Sequence, residues 1–262
     1  MAQYFGGGFS SMPPVTKNLI IINVLIWLVE IFFPQFGVNG IIRHLALHYV
    51  EGSHFNPAQI ITYMFVHDRG NFFHILFNMW TLFFFGPWLE RKWGSKRFLI
   101  FYFICGIGAA IIQECAMAYT YYAWQSDDIQ RIADTTGFSV AEITKEIQNA
   151  ISSGDTNIIQ ILEANKNAQV TMGASGAIFG LLLGFAFVFP NLPLYFFFVP
   201  VPIKAKYMVI GYAVIELLLG VTGSLASVAH YAHLGGMLFG LPLLLYWKHN
   251  HTLHGPNHFR SN

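Results

Sequence analysis

Six apolar runs, separated by short polar or basic links, constrain the fold of this chain more than any other feature. A helix that crosses a bilayer needs about 20 mostly apolar residues, and the runs reach or approach that length. Only 10% of the 262 residues are charged and 55% are hydrophobic, whereas soluble domains carry about 25% charged residues. The chain is therefore predicted to be an all-α membrane protein with six transmembrane helices, over residues 18–33, 71–89, 98–119, 173–190, 207–221 and 228–247.

The basic residues predict an orientation. Cytoplasmic loops carry the excess of Lys and Arg, and the densest cluster, Arg91 to Arg97, follows the second run. This places both termini in the cytoplasm, with tails at 1–17 and 248–262, and residues 1–17 do not match a secretory signal peptide. The net charge of +1 does not point to nucleic acid, so the lipid bilayer is the expected environment.

Two of the outer segments are more than simple links. Residues 34–69 are too apolar for a solvated loop and too short to span, which predicts an interfacial, partly inserted structure. Residues 120–169 are polar, contain a capping box from Ser139 to Glu142, and allow another helix from Thr156. They predict a helical extracytoplasmic insertion between spans 1–3 (18–119) and spans 4–6 (170–247). The sequence is compatible with three roles for this insertion: a solvated spacer, a lid or a substrate-docking element.

The two cysteines lie in one predicted helix. Ten residues separate Cys105 from Cys115, which is about 15 Å along a helix. A disulfide needs Cα atoms within about 7 Å, so no bridge is expected between them.

The fourth run begins with Gly173-Ala174-Ser175-Gly176. Small neighbours let a substrate backbone approach a serine and leave adjacent N–H groups free to face an oxyanion. Glycines at every fourth position are also how membrane helices pack, and Gly176, Gly180 and Gly184 show that spacing. This stretch alone is therefore compatible with a nucleophile or with a packing seam.

Polar residues on two other spans favour the nucleophile. His74 and Asn78 are one turn apart in the second run, and His233 lies near the start of the sixth. In the predicted topology these residues and Ser175 lie at similar depth below the outer surface. We expect Ser175 to be the nucleophile, His233 the general base, and His74 and Asn78 donors to the oxyanion.

Two further features complete the predicted site. Gly236 and Gly240 are expected to face Gly176 and Gly180, so that spans four and six touch closely enough for His233 to reach Ser175. No carboxylate is expected to orient His233. Glu114 and Glu216 are interpreted instead as helix-pairing or cavity-facing groups.

These motifs together resemble the rhomboid family of intramembrane serine proteases, and Glu90-Arg91-Lys92 resembles the family's Glu-x-basic turn. The resemblance implies a six-helix bundle with a Ser175–His233 dyad in a water-filled cavity open to the outer side. It implies cleavage of transmembrane protein substrates without a cofactor or metal. It also implies that the fifth span and the link after it form the gate and cap of the site, and that the protein lies in a bacterial inner membrane.

The sequence departs from the family at three places. Phe179 stands four residues after the nucleophile, where many relatives have a Tyr that packs on the catalytic histidine, so stacking without a hydroxyl is expected. The Trp-Arg pair of the first outer loop is reduced to Arg43, and the insertion 120–169 is long.

Three other functions remain as alternatives. The first is an inactive rhomboid-like protein that binds membrane clients. The second is a metal-dependent protease or transporter, for which the sequence shows neither an HExxH helix nor a matching carboxylate. Its histidines would be His67, His74, His230 and His233, although His67 and His230 fit outer-rim positions better. The third is a channel or carrier, for which no inverted repeat is visible. Substrate identity and oligomeric state are not determined by the sequence.

Overall fold

A computed structural model describes residues 11–33, 40, 42–196, 199–222 and 229–253. Helices make up most of this part of the chain, and two short antiparallel ladders join them. The elements in chain order are α1 (Pro14–Phe32), α2 (Ile42–Leu45), β1 (Leu47–His48), α3 (Gln59–Thr62), a 3-10 turn (Tyr63–Phe65), α4 (Phe72–Trp93), α5 (Ser95–Thr136), α6 (Val140–Ser152), α7 (Thr156–Ala168), β2 (Val170–Thr171), α8 (Ser175–Val188), β3 (Pro193–Phe196), β4 (Val199–Lys204), α9 (Ala205–Thr222) and α10 (His230–His249).

Helices α1, α4, α5, α8, α9 and α10 lie over the six predicted spans. Four of them, α1, α4, α5 and α9, are long and apolar enough to cross a membrane, and α8 is a shorter apolar helix of 14 residues. The prediction of an all-α membrane bundle is confirmed. That all six helices cross the bilayer remains a prediction for α8 and α10.

The centre of the bundle is formed by α5, α8 and α10, which pack against one another. Large side chains of α5, including Phe98, Phe101 and Tyr102, are fully buried there. Helices α1, α4 and α9 carry many of the exposed apolar side chains, as expected for helices that face lipid. The buried core thus holds α8 and α10, whose first turns carry the candidate site.

Glu90, in the last turn of α4, is buried and anchors the first helix. Its carboxylate accepts hydrogen bonds from the Val15 N–H at 2.9 Å, and from the N–H and hydroxyl of Thr16, both at 2.7 Å. The Ser95 hydroxyl donates to Glu90 Oε1, the oxygen that also accepts the Val15 N–H, at 2.6 Å. A carboxylate thus satisfies the free N–H groups at the start of α1, where the helix dipole favours negative charge.

The first outer segment is folded rather than loosely inserted. Within its described part, Leu47, Tyr49, Tyr63 and Met64 are almost completely buried. β1 pairs with β2, so that Leu47 lies opposite Thr171. This pairing ties the segment to the residues that immediately precede Ser175. The side chain of Arg43 lies outside the described residues.

The insertion differs from the prediction at its beginning. The third helix was expected to end near residue 119, but α5 continues without a break to Thr136. The two predicted short helices are present: α6 begins with the Ser139–Glu142 capping box, and α7 begins at Thr156 with Asp155 as its cap. Cys105 and Cys115 lie on α5 and are both free, as predicted.

The insertion contacts the first outer segment at several points. Asn167 accepts a hydrogen bond from the His54 N–H at 3.0 Å, and Glu163 accepts one from the Ser53 N–H at 3.1 Å. The Lys166 ammonium lies 3.8 Å from Glu51. The insertion is therefore docked on the segment that leads to the site, and its placement on the extracytoplasmic side remains a prediction.

Candidate active site

Ser175 is the first residue of α8 and is placed there by the turn that follows β2. The Gly173 N–H donates to the Tyr63 carbonyl at 2.9 Å. Gly173 has a φ of +124°, and a Cβ at this position would lie 2.7 Å from His74 Nε2. Only glycine adopts this conformation readily. Both the backbone geometry and the nearby His74 ring therefore require glycine at position 173.

His233 lies in the first turn of α10 and contacts the serine directly. Its Nε2 atom is 2.8 Å from Ser175 Oγ, within ordinary hydrogen-bond range. The histidine is buried, while Ser175 is only half-buried. A buried imidazole bonded to a more accessible hydroxyl is the arrangement that activates a serine.

The close approach of α8 and α10 depends on their glycines. A Cβ on Gly236 would collide with the Gly176 carbonyl, and a Cβ on Gly180 would lie 3.0 Å from the Gly236 carbonyl. The expected facing of Gly236 with Gly176 and Gly180 is therefore present. The expectation for Gly240 was wrong, because it faces Cys105 and Phe101 of α5.

Phe179 stacks on the candidate base. The Phe179 and His233 rings are parallel within 4°, with centroids 4.1 Å apart. Residue 179 is one helical turn after Ser175, so the phenyl ring covers one face of His233. The predicted stacking without a hydroxyl is present.

His74 borders the same space from α4. Its Nδ1 atom accepts the Asp68 N–H at 3.4 Å, so a neutral ring carries its proton on Nε2. A Cβ built on Gly173 would lie 2.7 Å from that Nε2 and 3.8 Å from Ser175 Oγ. The ring is thus arranged to donate a hydrogen bond near the serine.

Asn78 is buried one turn further along α4. Its Nδ2 atom donates to the His74 carbonyl at 2.8 Å. One of its two amide N–H groups is therefore used within the helix, and one donor is left for another acceptor. The oxyanion role of His74 and Asn78 remains a prediction.

No carboxylate was expected to orient His233, but the structure brings Glu216 beside it. Glu216 Oε2 lies 3.0 Å from His233 Nδ1 and 2.6 Å from His230 Nδ1. Glu216 is on α9, and both histidines are on α10. The signal available in the sequence was a carboxylate within an apolar run, since intramembrane ionisable residues usually face a partner.

The histidine candidates form two pairs of neighbouring rings, His230 with His233 and His67 with His74. His67 and His230 were expected at an outer rim, but both are buried. His67 packs edge-on against His74, with ring centroids 5.0 Å apart, and burial lowers the pKa of His67 to about 3. His67 is therefore neutral at physiological pH.

Among the described residues, Glu216, His230 and His233 could hold a metal ion, since each offers one ligand atom and these lie within 4.8 Å of one another. The contacts of Glu216 with the two imidazoles already account for this proximity. Glu114, the other carboxylate considered, accepts the Val50 N–H at 2.9 Å and so joins α5 to the first outer segment.

Comparisons with known proteins identify the family of this chain. The family model of the rhomboid domain matches residues 54–144 and 149–249, which include Ser175, His233, His74 and Asn78. The chain is also similar to Protein pdh1 of Schizosaccharomyces pombe (strain 972 / ATCC 24843), at 34% identity over 114 residues. That match covers 40% of this chain and 50% of the relative, so the chain spans about half the length of the curated relative it matches. Because the family model covers well over half of the sequence, the chain belongs to the rhomboid family.

Proposed function

We propose that this protein is an intramembrane serine endopeptidase that hydrolyses peptide bonds in or near transmembrane segments of other membrane proteins. The observation that carries the proposal is the 2.8 Å contact between Ser175 Oγ and His233 Nε2. The two residues lie on different helices and 58 positions apart in the chain. Only a bundle that packs α8 directly against α10 brings them together.

The proposed reaction follows the logic of serine hydrolases. Ser175 Oγ attacks the scissile carbonyl carbon while His233 Nε2 takes the hydroxyl proton. The oxyanion is held by the Ser175 N–H at the start of α8, by His74 Nε2–H and by Asn78. His233 then gives its proton to the leaving amine as the C–N bond breaks, and water hydrolyses the acyl ester by the same steps.

The peripheral position of α9 supports lateral entry of a substrate helix. Between residues 210 and 221 this helix exposes most of its apolar side chains, including Ile210, Leu218 and Val221 at 59–71%. The link 223–228, assigned with α9 to the gate by resemblance, lies outside the described residues. We propose that the site opens to the outer side of a bacterial inner membrane, with both termini cytoplasmic.

The test is cleavage of a fluorescent transmembrane substrate in liposomes that contain EDTA. The variants are the parent, Ser175→Ala, and Ser153→Ala as a matched serine control in the exposed turn after α6. We expect cleavage by the parent and by Ser153→Ala, and none by Ser175→Ala. A fluorophosphonate probe should label only the two proteins that retain Ser175.

Two results would contradict the proposal. Equal cleavage by the parent and Ser175→Ala would show that Ser175 is not the nucleophile. Absence of both cleavage and labelling in a folded parent would favour the alternative, a rhomboid-like protein that binds membrane clients without cutting them.

A further inference from the structure

We propose that Glu216 is a positioning residue for the candidate base, so that the site works as a Ser175–His233–Glu216 triad, with His230 holding the carboxylate in place. The proposal rests on the proteolytic function argued above. It adds a third group, supplied by α9, to the two side chains of α8 and α10.

The first step is the proton arrangement that catalysis requires. His233 Nε2 must be unprotonated to accept the proton of Ser175 Oγ, from which it is 2.8 Å away. A neutral imidazole then carries its proton on Nδ1. An acceptor beside Nδ1 favours that tautomer, because the alternative tautomer would turn a lone pair toward the acceptor.

Glu216 supplies such an acceptor. Its Oε2 atom is 3.0 Å from His233 Nδ1, and an ionised carboxylate only accepts hydrogen bonds. The Nδ1–H bond is not aligned with this oxygen, so the contact is close without being a formed hydrogen bond. Hydrogen bonds at catalytic sites are often poorly aligned without substrate and tighten when it is bound, so we expect this contact to become a hydrogen bond in the complex.

His230 explains why the carboxylate stays at this position. His230 Nδ1 is 2.6 Å from the same Glu216 oxygen. The two histidines are three residues apart on α10, hence on the same face of the helix, and their rings are perpendicular, with centroids 6.5 Å apart. The side chains of all three residues are 6–13% exposed, so they are largely shielded from water.

The carboxylate also acts during the reaction. As the bond from Ser175 Oγ to the carbonyl carbon forms, the hydroxyl proton moves to His233 Nε2 and the ring becomes a cation. Glu216 stabilises that charge, which is released when the proton passes to the leaving nitrogen. His233 contacts Ser175 through Nε2 and Glu216 through Nδ1, at 3.0 Å. Pairing of α9 with α10 alone would not require an acceptor at Nδ1.

The experiment compares the parent with Glu216→Gln, which keeps the shape and removes the charge. Glu114→Gln is the matched control, because Glu114 is also a partly buried carboxylate on a long apolar helix, α5. kcat and KM are measured on the transmembrane substrate in liposomes, and thermal unfolding is measured on the same samples. We expect Glu216→Gln to lower kcat at least about tenfold, with KM within about twofold, and Glu114→Gln to leave kcat unchanged.

Histidine ¹⁵N spectra of the parent and Glu216→Gln, with His233→Asn used for assignment, give a readout that does not need proteolysis. We expect the parent His233 to carry its proton on Nδ1 and Glu216→Gln to lose that preference. If the parent cleaves nothing, the proposed function fails, while the spectra still decide the positioning role.

Three outcomes would overturn the proposal. The first is a kcat for Glu216→Gln equal to that of Glu114→Gln. The second is a loss of activity that matches the loss of folded protein, which would mean a structural role only. The third is the same His233 tautomer in the parent and Glu216→Gln.

Discussion

Replacing Gly236 by alanine should move Ser175 on α8 away from His233 on α10 without removing any functional group. A Cβ at Gly236 would lie 2.7 Å from the Gly176 carbonyl carbon, and closer still to its oxygen. Carbon atoms in contact are normally about 3.5 Å or more apart. The helices α8 and α10 must therefore separate by about 0.8 Å or more.

This displacement is large on the scale of the catalytic contact. The distance of 2.8 Å between Ser175 Oγ and His233 Nε2 would grow to about 3.6 Å, at which a hydrogen bond is no longer formed. A misplacement of about 1 Å costs on the order of 100-fold in rate. We therefore expect kcat/KM of Gly236→Ala to fall about 100-fold, while overpacking lowers the free energy of unfolding by about 1–3 kcal/mol.

The assay is cleavage of the transmembrane substrate in liposomes, with thermal unfolding measured in parallel. Gly211→Ala is the matched control, because Gly211 lies on α9 and a Cβ there meets nothing within 4 Å. We expect this control to keep parental activity. Parental activity in Gly236→Ala would refute the argument that glycine contact between α8 and α10 positions His233.

Three further predictions concern the scaffold. Glu90→Gln should lower the free energy of unfolding by about 2–4 kcal/mol, measured by thermal unfolding, because buried donors at the start of α1 lose a charged acceptor; unchanged stability would contradict this role. Ser139→Ala should speed hydrogen exchange in the first turn of α6, at a cost of about 1 kcal/mol. Hydrogen bonds from the backbone and hydroxyl of Ser139 lower the pKa of Glu142. This cap is therefore intact above the ordinary pKa of a glutamate and is lost as the pH falls through the lowered pKa. Hydrogen exchange in α6 that does not change on acidification would argue against this role of Glu142. Asn167→Ala should expose the His54 amide to exchange while substrate cleavage continues, whereas loss of cleavage would show that docking of the insertion supports the site.

The grouping of His74, Ser175 and His233 was predictable by counting along the helices. Each residue advances a helix by about 1.5 Å, so the starts of the second, fourth and sixth runs place His74, Ser175 and His233 at one level. The stacking of Phe179 on His233 was expected from the resemblance to the rhomboid family, in which many relatives carry a Tyr at this position. The capping box of α6 was predictable because its two residues interact locally.

The place of Glu216 was not predictable from such counting. A neighbouring position on a helix differs by about 100° around its axis, and the rotation of α9 relative to α10 depends on packing along their whole lengths. Glu216 could equally have faced lipid-side partners or a cavity. The prediction that Gly240 faces α8 failed for the same reason, because this face of α10 meets α5.

The sequence by itself determined the class of protein, the positions of its helices and the residue types of the site, because hydrophobic length, capping and glycine spacing are local properties of the chain. The tertiary structure decided which carboxylate meets His233, how β1 and β2 tie the first outer segment to Ser175, and how far α5 extends into the insertion. Glu216 and His233 are 17 positions apart on different helices, and Leu47 and Thr171 are 124 positions apart. Only the packed bundle brings such residues together, because the rotation and approach of its elements are set by packing and not by local spacing.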